Sequence, residues 1–304
     1  MPDYEFYTLD VFADKPFSGN PLAVFPSAQD IAVEVMQQIA SEFNLSETVF
    51  VLDSEKALKR LRIFTPQQEL PLAGHPVVGT WNLLARLGMT PTVENGTIEI
   101  KQELNLGVLP VVLEFKDGEI ATVEMEQARF KAYEEIKEPS EIGDLAAALG
   151  LTIGDIGNSH TSLIQVVSTG IRSLAIPVWS MESLRKIKVR PDRLADIYGP
   201  SGAVGCYTFC FDTVEPDSLV HARFFAPADG IPEDPATGSA AGALSGHLVH
   251  NGIVEQREFT IEQGDIMGRP GRIFARVEGD RGDVRSVNIK GTAVPFINGT
   301  MTLP

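Results

Sequence analysis

Cysteine is almost absent from this chain, with two among 304 residues, too few for a disulfide framework. The pair stands in Cys206-Tyr207-Thr208-Phe209-Cys210, which alternates like a strand and puts both sulfurs on one face. At about 3.3 Å per residue the two are roughly 13 Å apart, whereas bridged Cα atoms lie within roughly 7 Å. Both are expected as buried, unreactive thiols. Also missing are GxGxxG, GxxxxGK[ST], HExxH, CxxC and GxSxG, so no tightly held nucleotide, cofactor or metal is indicated. Positive charge is scarce: 25 Lys and Arg against 41 Asp and Glu give a net charge of −16. Such a surface repels phosphate backbones and anionic lipid heads, which argues against nucleic acid and membranes as partners. The longest run without Asp, Glu, Lys or Arg, residues 235–254, could span a bilayer by length, but four Gly, two His, two Ser, a Thr and an Asn interrupt it. It is expected as a helix of a soluble protein. The opening Met1-Pro2-Asp3-Tyr4-Glu5-Phe6 has neither a basic leader nor an apolar segment, so the expected location is the cytoplasm.

What is present is apolar material for one large or two ordinary cores, 43% of the residues, arranged mostly as short β-branched or alternating runs bounded by Gly, Pro, Asn or Asp. Asp117-Gly118 marks a hairpin turn. Strands in hairpin order with few helices between them point to antiparallel sheets rather than a nucleotide-binding βαβ array. Helical patterns fall at 32–43, 76–87, 142–150, 181–186, 191–198 and 239–251. In the second of these, apolar residues lie on nearly every side, the mark of a helix enclosed by protein. The last contains Gly242 and Gly246, each costing about 1 kcal/mol relative to Ala, which a tightly wrapped sheet would explain. Arg62-Ile63-Phe64-Thr65-Pro66 precedes the first of these two helices much as Arg223-Phe224-Phe225-Ala226-Pro227 precedes the second. The pattern suggests an internal duplication, hence an α+β protein of two similar domains, each a largely antiparallel sheet rolled around one central helix.

The two helix starts carry the first chemical signal. With Pro76 read as the first helical residue, His75 becomes the N-cap, and Gly238-Ser239 opens the other helix with little side chain over its N–H groups. Such ends attract anions, and ordinary capping without a ligand is the other reading. Glu47, in Leu45-Ser46-Glu47-Thr48-Val49, stands where a polar turn meets an apolar strand. It is either the last solvated residue or a carboxyl at a pocket wall, where desolvation raises the pKa toward neutrality and suits proton transfer. Asp234, before Pro235, is either an ordinary Asx turn or a group that orients His75 or binds a substrate amine or hydroxyl. Of the five histidines, only His247 and His250 form a short-spaced pair, expected in core packing or at a helix C-terminus rather than on a metal.

Asp10-Val11-Phe12 with residues 17–24, Asn44-Leu45-Ser46-Glu47-Thr48, Leu72-Ala73-Gly74-His75-Pro76, residues 234–240, and Gln263-Gly264 with residues 267–271 together resemble the PhzF-like phenazine-biosynthesis isomerase family, in order from residue 5 to about 300. The resemblance implies the diaminopimelate epimerase-like fold, two pseudo-symmetric α+β domains with the active site between them. Residues 1–118 plus 294–304 would form one and 119–293 the other, the strand-like end returning to the first sheet. It further implies Glu47 as the acid/base carboxylate, with His75 and Asp234 as catalytic partners. Gly74, Gly238, Ser239, Ser46 and Asn20 would be substrate contacts. Neither metal nor organic cofactor is implied, and the expected partners are a small carboxylate-bearing substrate and a second copy in a homodimer. A cysteine-pair epimerase or racemase is the related alternative, and a small-acid-binding protein without turnover the other.

Overall fold

The computed structural model describes residues 2–303, and its Cα packing separates the chain into two units, Met1–Glu126 with Lys290–Pro304, and Gln127–Ile289. In the first unit the strands are β1 (Asp3–Val11), β2 (Asn20–Phe25), β3 (Glu47–Leu52), β4 (Lys59–Phe64), β5 (Glu69–Leu70), β6 (Gly96–Leu104), β7 (Gly107–Lys116) and β8 (Glu119–Glu126). The helices α1 (Val33–Phe43) and α2 (Gly74–Arg86) lie between them. The second unit holds β9 (Lys131–Ile136), α3 (Pro139–Leu149), β10 (Ile164–Ser168), β11 (Arg172–Pro177), α4 (Met181–Lys186), α5 (Pro191–Tyr198) and β12 (Gly205–Cys210). It continues through β13 (Ser218–Ala226), β14 (Ile231–Asp234), α6 (Gly238–His250), β15 (Glu258–Gln263), β16 (Gly271–Asp280) and most of β17 (Asp283–Gly291). The final strand, β18 (Ala293–Thr302), belongs to the first unit and pairs antiparallel with β1 over its whole length.

The hairpin turn forms at Asp117-Gly118, both at positive φ, 53° and 78°, as a two-residue turn matched to strand twist requires. It folds β8 back onto β7, and β8 then packs on α2. Residues 119–126 are thereby held in the first unit, whereas a sequence division at residue 118 places them in the second; residues 290–293 likewise join the first.

Each unit is a largely antiparallel sheet, as the sequence suggested, with some parallel pairs among its strands. In the first, β18, β1 and β2 are antiparallel, β2–β3 is parallel, β3–β4 and β4–β5 antiparallel, β4–β6 parallel and β6–β7 antiparallel. In the second, β9, β10 and β11 are antiparallel, β11–β12 parallel, β12–β13 and β13–β14 antiparallel, β13–β15 parallel and β15–β16 antiparallel. The same order of pairing recurs. Every parallel pair needs a crossover long enough to return the chain, and each has a helical one: α1, α2, α4 with α5, and α6.

The helices α2 and α6 are the ones the sheets enclose. All residues of α2 from Gly74 to Ala85 are buried, as are those of α6 from Gly238 to Val249 except Ser239. The glycines allow this: a Cβ on Gly79 would sit 2.6 Å from Val11 Cγ2 and 2.7 Å from Leu22 Cδ2, and one on Gly246 would sit 2.3 Å from Phe130 Cδ2. The duplication extends to a charged clamp. Arg62 of β4 forms two 2.7 Å hydrogen bonds to Glu69 of β5 and lies over the Phe64 ring. Arg223 of β13 does the same to Glu233 of β14 and lies over Phe225. Paired guanidinium–carboxylate bonds of this kind fix geometry as well as charge, and here each holds the short strand that leads into a central helix.

Candidate active site

In the first unit three of the expected residues meet. Glu47 opens β3, Asn20 opens β2 beside it in the parallel pair, and His75 is the second residue of α2. His75 Nε2 lies 3.2 Å from Glu47 Oε2, and His75 Nδ1 lies 3.5 Å from Asn20 Nδ2. The imidazole is 6% exposed and Asn20 wholly buried. Burial pushes the His75 pKa down to about 3, because a charged ring would lose its hydration; the ring is neutral at physiological pH. Ser46 precedes Glu47 in the turn after α1 and is half-buried.

Asn20 is delivered by a constrained loop. Gly19 has φ +55°, and a Cβ there would meet the Val11 carbonyl at 2.1 Å, a place only glycine fills. Phe17, also left-handed at φ 68°, donates its backbone N–H to the buried Asp10 carboxylate at 2.6 Å.

His75 is not the N-cap of its helix. That position falls on Ala73, extended at φ −147°, and the helix starts at Gly74. Pro76 is tolerated at the third helical position because none of the first four helical N–H groups has a partner within the helix. Likewise α6 starts at Gly238, one residue before the expected Ser239, with Thr237 as its N-cap. Neither cap residue makes a side-chain capping bond, so both first turns present backbone N–H groups that no cap side chain covers.

In the second unit the Thr237 hydroxyl donates to Asp234 Oδ2 instead of capping its helix. Asp234 ends β14 and is 7% exposed. Its surroundings are organised by Gln263, which the sequence places in a segment of the family resemblance without giving it a role. The Gln263 amide nitrogen donates to the Asp234 carbonyl at 2.7 Å and to Thr237 Oγ1 at 3.0 Å. Its oxygen accepts from Thr237 N at 3.0 Å and from the Tyr207 hydroxyl at 2.8 Å. The available signal was the following glycine: Gly264 has φ +90°, and a Cβ there would lie 2.2 Å from the Arg269 carbonyl and 2.5 Å from that of Pro235. Ser239 is half-buried beside Gly238 in the first turn of α6.

The two cysteines and His247 serve packing. Both cysteines are free and buried in β12, and burial pushes Cys210 up to about 12 and Cys206 higher still. His247 is buried against Gln165 and Asn251, its pKa lowered to about 4 chiefly by burial. Among the described residues, the one His/Cys/Asp/Glu group close enough to hold a metal is His221, Glu262 and Asp265. Its acceptors are already engaged: Glu262 takes His221 Nδ1 at 2.8 Å and two backbone N–H groups at 2.7 Å, while Arg272 holds both oxygens of Asp265. The cluster is an internal ion-pair network.

Among known proteins, the chain is 36% identical over 298 residues to the trans-2,3-dihydro-3-hydroxyanthranilate isomerase of Pseudomonas aeruginosa, covering 97% of this chain and 98% of that one. It is also 36% identical over 301 residues to the uncharacterized isomerase YfhB of Bacillus subtilis, with 97% of each covered. A crystal structure of a PhzF-family phenazine biosynthesis protein from Bacillus anthracis superposes with a TM-score of 0.87 at 27% identity, over 100% of both chains. A hydroxyproline epimerase from Agrobacterium vitis shares the fold, with a TM-score of 0.64 at 12% identity over 99% of this chain and 91% of that one. The pattern of the phenazine biosynthesis-like proteins, PhzC-PhzF, matches residues 9–299, and the chain belongs to that family.

Proposed function

We propose that this protein is a cofactor-independent isomerase that moves a proton within a small carboxylate-bearing substrate, with Glu47 as the group that takes and returns it. The observation that carries the reading is the contact of Glu47 with a neutral, buried His75: a carboxylate and an uncharged proton carrier side by side at the rim of an enclosed helix. The carboxylate removes a proton from carbon, the C–H electron pair passes into an adjacent unsaturated or carboxylate group, and the proton returns at another carbon, so product and substrate have the same composition. Backbone N–H groups of the first turn of α2, at Gly74, suit the negative charge that develops; in the second unit Gly238-Ser239 opens α6 with the same kind of groups. Ser46 in the first unit and Asp234, tied to Thr237 in the second, are the further candidate binding groups of their units. The names of the isomerase relatives support a ring-bearing acid as the substrate class.

A two-thiol epimerase is disfavoured by chemistry. It requires reactive cysteines, and both thiols here lie in the core with raised pKa values. Buried reduced thiols also fit a cytoplasmic setting; among the described residues no helix is long and apolar enough to cross a membrane. A homodimer is favoured by an apolar patch on the first unit, where exposed Phe17, Phe296 and Ile297 lie on or beside a β18 that contains no charged residue. For a chain of net charge −16, that is where two copies approach with least repulsion.

The test is a panel of cyclic and acyclic amino and hydroxy acids incubated with the enzyme in deuterated water and followed by NMR. Label at a carbon other than the one deprotonated identifies isomerisation; label at the same stereocentre identifies epimerisation. Glu47→Gln should lose about 10²–10⁴-fold of the exchange rate while keeping ligand affinity within a few-fold. Binding without exchange by the wild type would leave a non-catalytic acid-binding protein, and an active Glu47→Gln enzyme would overturn the assignment of the base.

A further inference from the structure

Asn20 has no access to solvent, and its amide nitrogen, not its oxygen, is turned toward His75 Nδ1. An amide nitrogen carries only hydrogens toward its neighbours. If His75 Nδ1 were also protonated, two donors would oppose one another in a buried place, where an unsatisfied donor costs about 1–3 kcal/mol. Nδ1 is therefore an acceptor, and the single proton of the neutral ring resides on Nε2. That nitrogen lies 3.2 Å from Glu47 Oε2.

From this geometry we infer that Asn20 is a positioning residue that fixes the Nε2–H tautomer of His75, so that the ring nitrogen nearer Glu47 carries the proton before substrate arrives. The inference rests on the isomerase reading for its significance, though not for its test. The placement of the ring proton is set by one buried side chain and needs no charge on the imidazole.

The tautomer is read directly by nitrogen-15 NMR of the full chain labelled in its histidine rings, without substrate and near neutral pH, with His75 assigned by difference against His75→Gln. The expected wild-type spectrum shows His75 with an unprotonated Nδ1 and a protonated Nε2. In Asn20→Asp the carboxylate accepts from Nδ1, and the two nitrogens should exchange roles; in Asn20→Ala the preference should weaken toward a mixture. A protonated Nδ1 in the wild type overturns the inference, as does an unchanged tautomer in a folded Asn20→Asp. Should Asn20→Asp fail to fold, the wild-type and Asn20→Ala spectra still decide. Failure of the isomerase reading would appear separately, as absent carbon–hydrogen exchange with this spectrum intact.

Discussion

His75 and His247 are both kept neutral by burial, with pKa values lowered to about 3 and about 4, and that has a cost the solvent can read. In the unfolded chain each ring takes up a proton near the ordinary pKa of about 6.5; in the folded chain it does not. Below that pH the unfolded state binds more protons, so stability falls as pH falls, by up to about 1.4 kcal/mol per pH unit for each ring. The window from pH 6.5 to 5.5 shows the effect, since it lies above both folded values and above the ordinary carboxylate pKa of about 4. Denaturation midpoints should decline through this window in the wild type and decline less in the His75→Gln, His247→Gln double variant. Equal slopes would mean the rings are not held neutral. The residue types at the candidate site were legible from the sequence, Glu47 at a turn-to-strand junction and His75 at a helix start. The Glu47–His75–Asn20 contact was not, because it depends on β2 and β3 lying parallel, a pairing no local pattern encodes.

At the scale of elements, the glycines of the helices separate two opposing effects. Replacing a helical glycine by alanine normally stabilises by about 0.5–1 kcal/mol. Gly143 in α3 has nothing within 4 Å of where its Cβ would lie, so Gly143→Ala should raise the melting temperature. Gly246 in α6 faces the Phe130 ring at 2.3 Å from that point, and overpacking costs about 1–3 kcal/mol; Gly246→Ala should lower it. Calorimetry on the two variants checks the pair, and a gain at Gly246 would mean that the sheet around α6 yields easily. All six helices among the described residues were readable from the sequence. So was the enclosed character of α2 and α6, since apolar residues on every side leave a helix no face for solvent, and a run of small residues lets a sheet close in around it. The strands that escaped were those without a pattern. β9 exposes most of Lys131–Ile136, and β14 carries Pro232 and two acids yet pairs with β13 through Phe224–Asp234 and Ala226–Ile231. The first helical residue of α2 was displaced by two because proline is acceptable anywhere in a first turn, and that of α6 by one.

For the whole molecule, the assembly prediction follows from the uncharged β18 and its exposed Phe296 and Ile297. Light scattering at micromolar concentration should give twice the chain mass for the wild type and the chain mass for a Phe296→Glu, Ile297→Lys variant with an unchanged circular dichroism spectrum. A wild-type monomer would remove the dimer. Division into two similar units was visible in the repeated Arg-x-Phe-x-Pro segments, which the structure gives the same bidentate clamp. Their boundary was not, because a hairpin turn within a unit and a linker between units carry the same Asp-Gly signal. The return of β18 to β1 sets an order in time. A ribosome makes β1 first and β18 last, so at about 5–20 residues per second the opening strand waits roughly a quarter of a minute or longer for its neighbour. Meanwhile residues 127–289 have emerged with all their own strands. The half that is begun first is thus finished last, and the nascent first unit keeps an open strand edge throughout synthesis, the interval in which a chaperone would have most to cover.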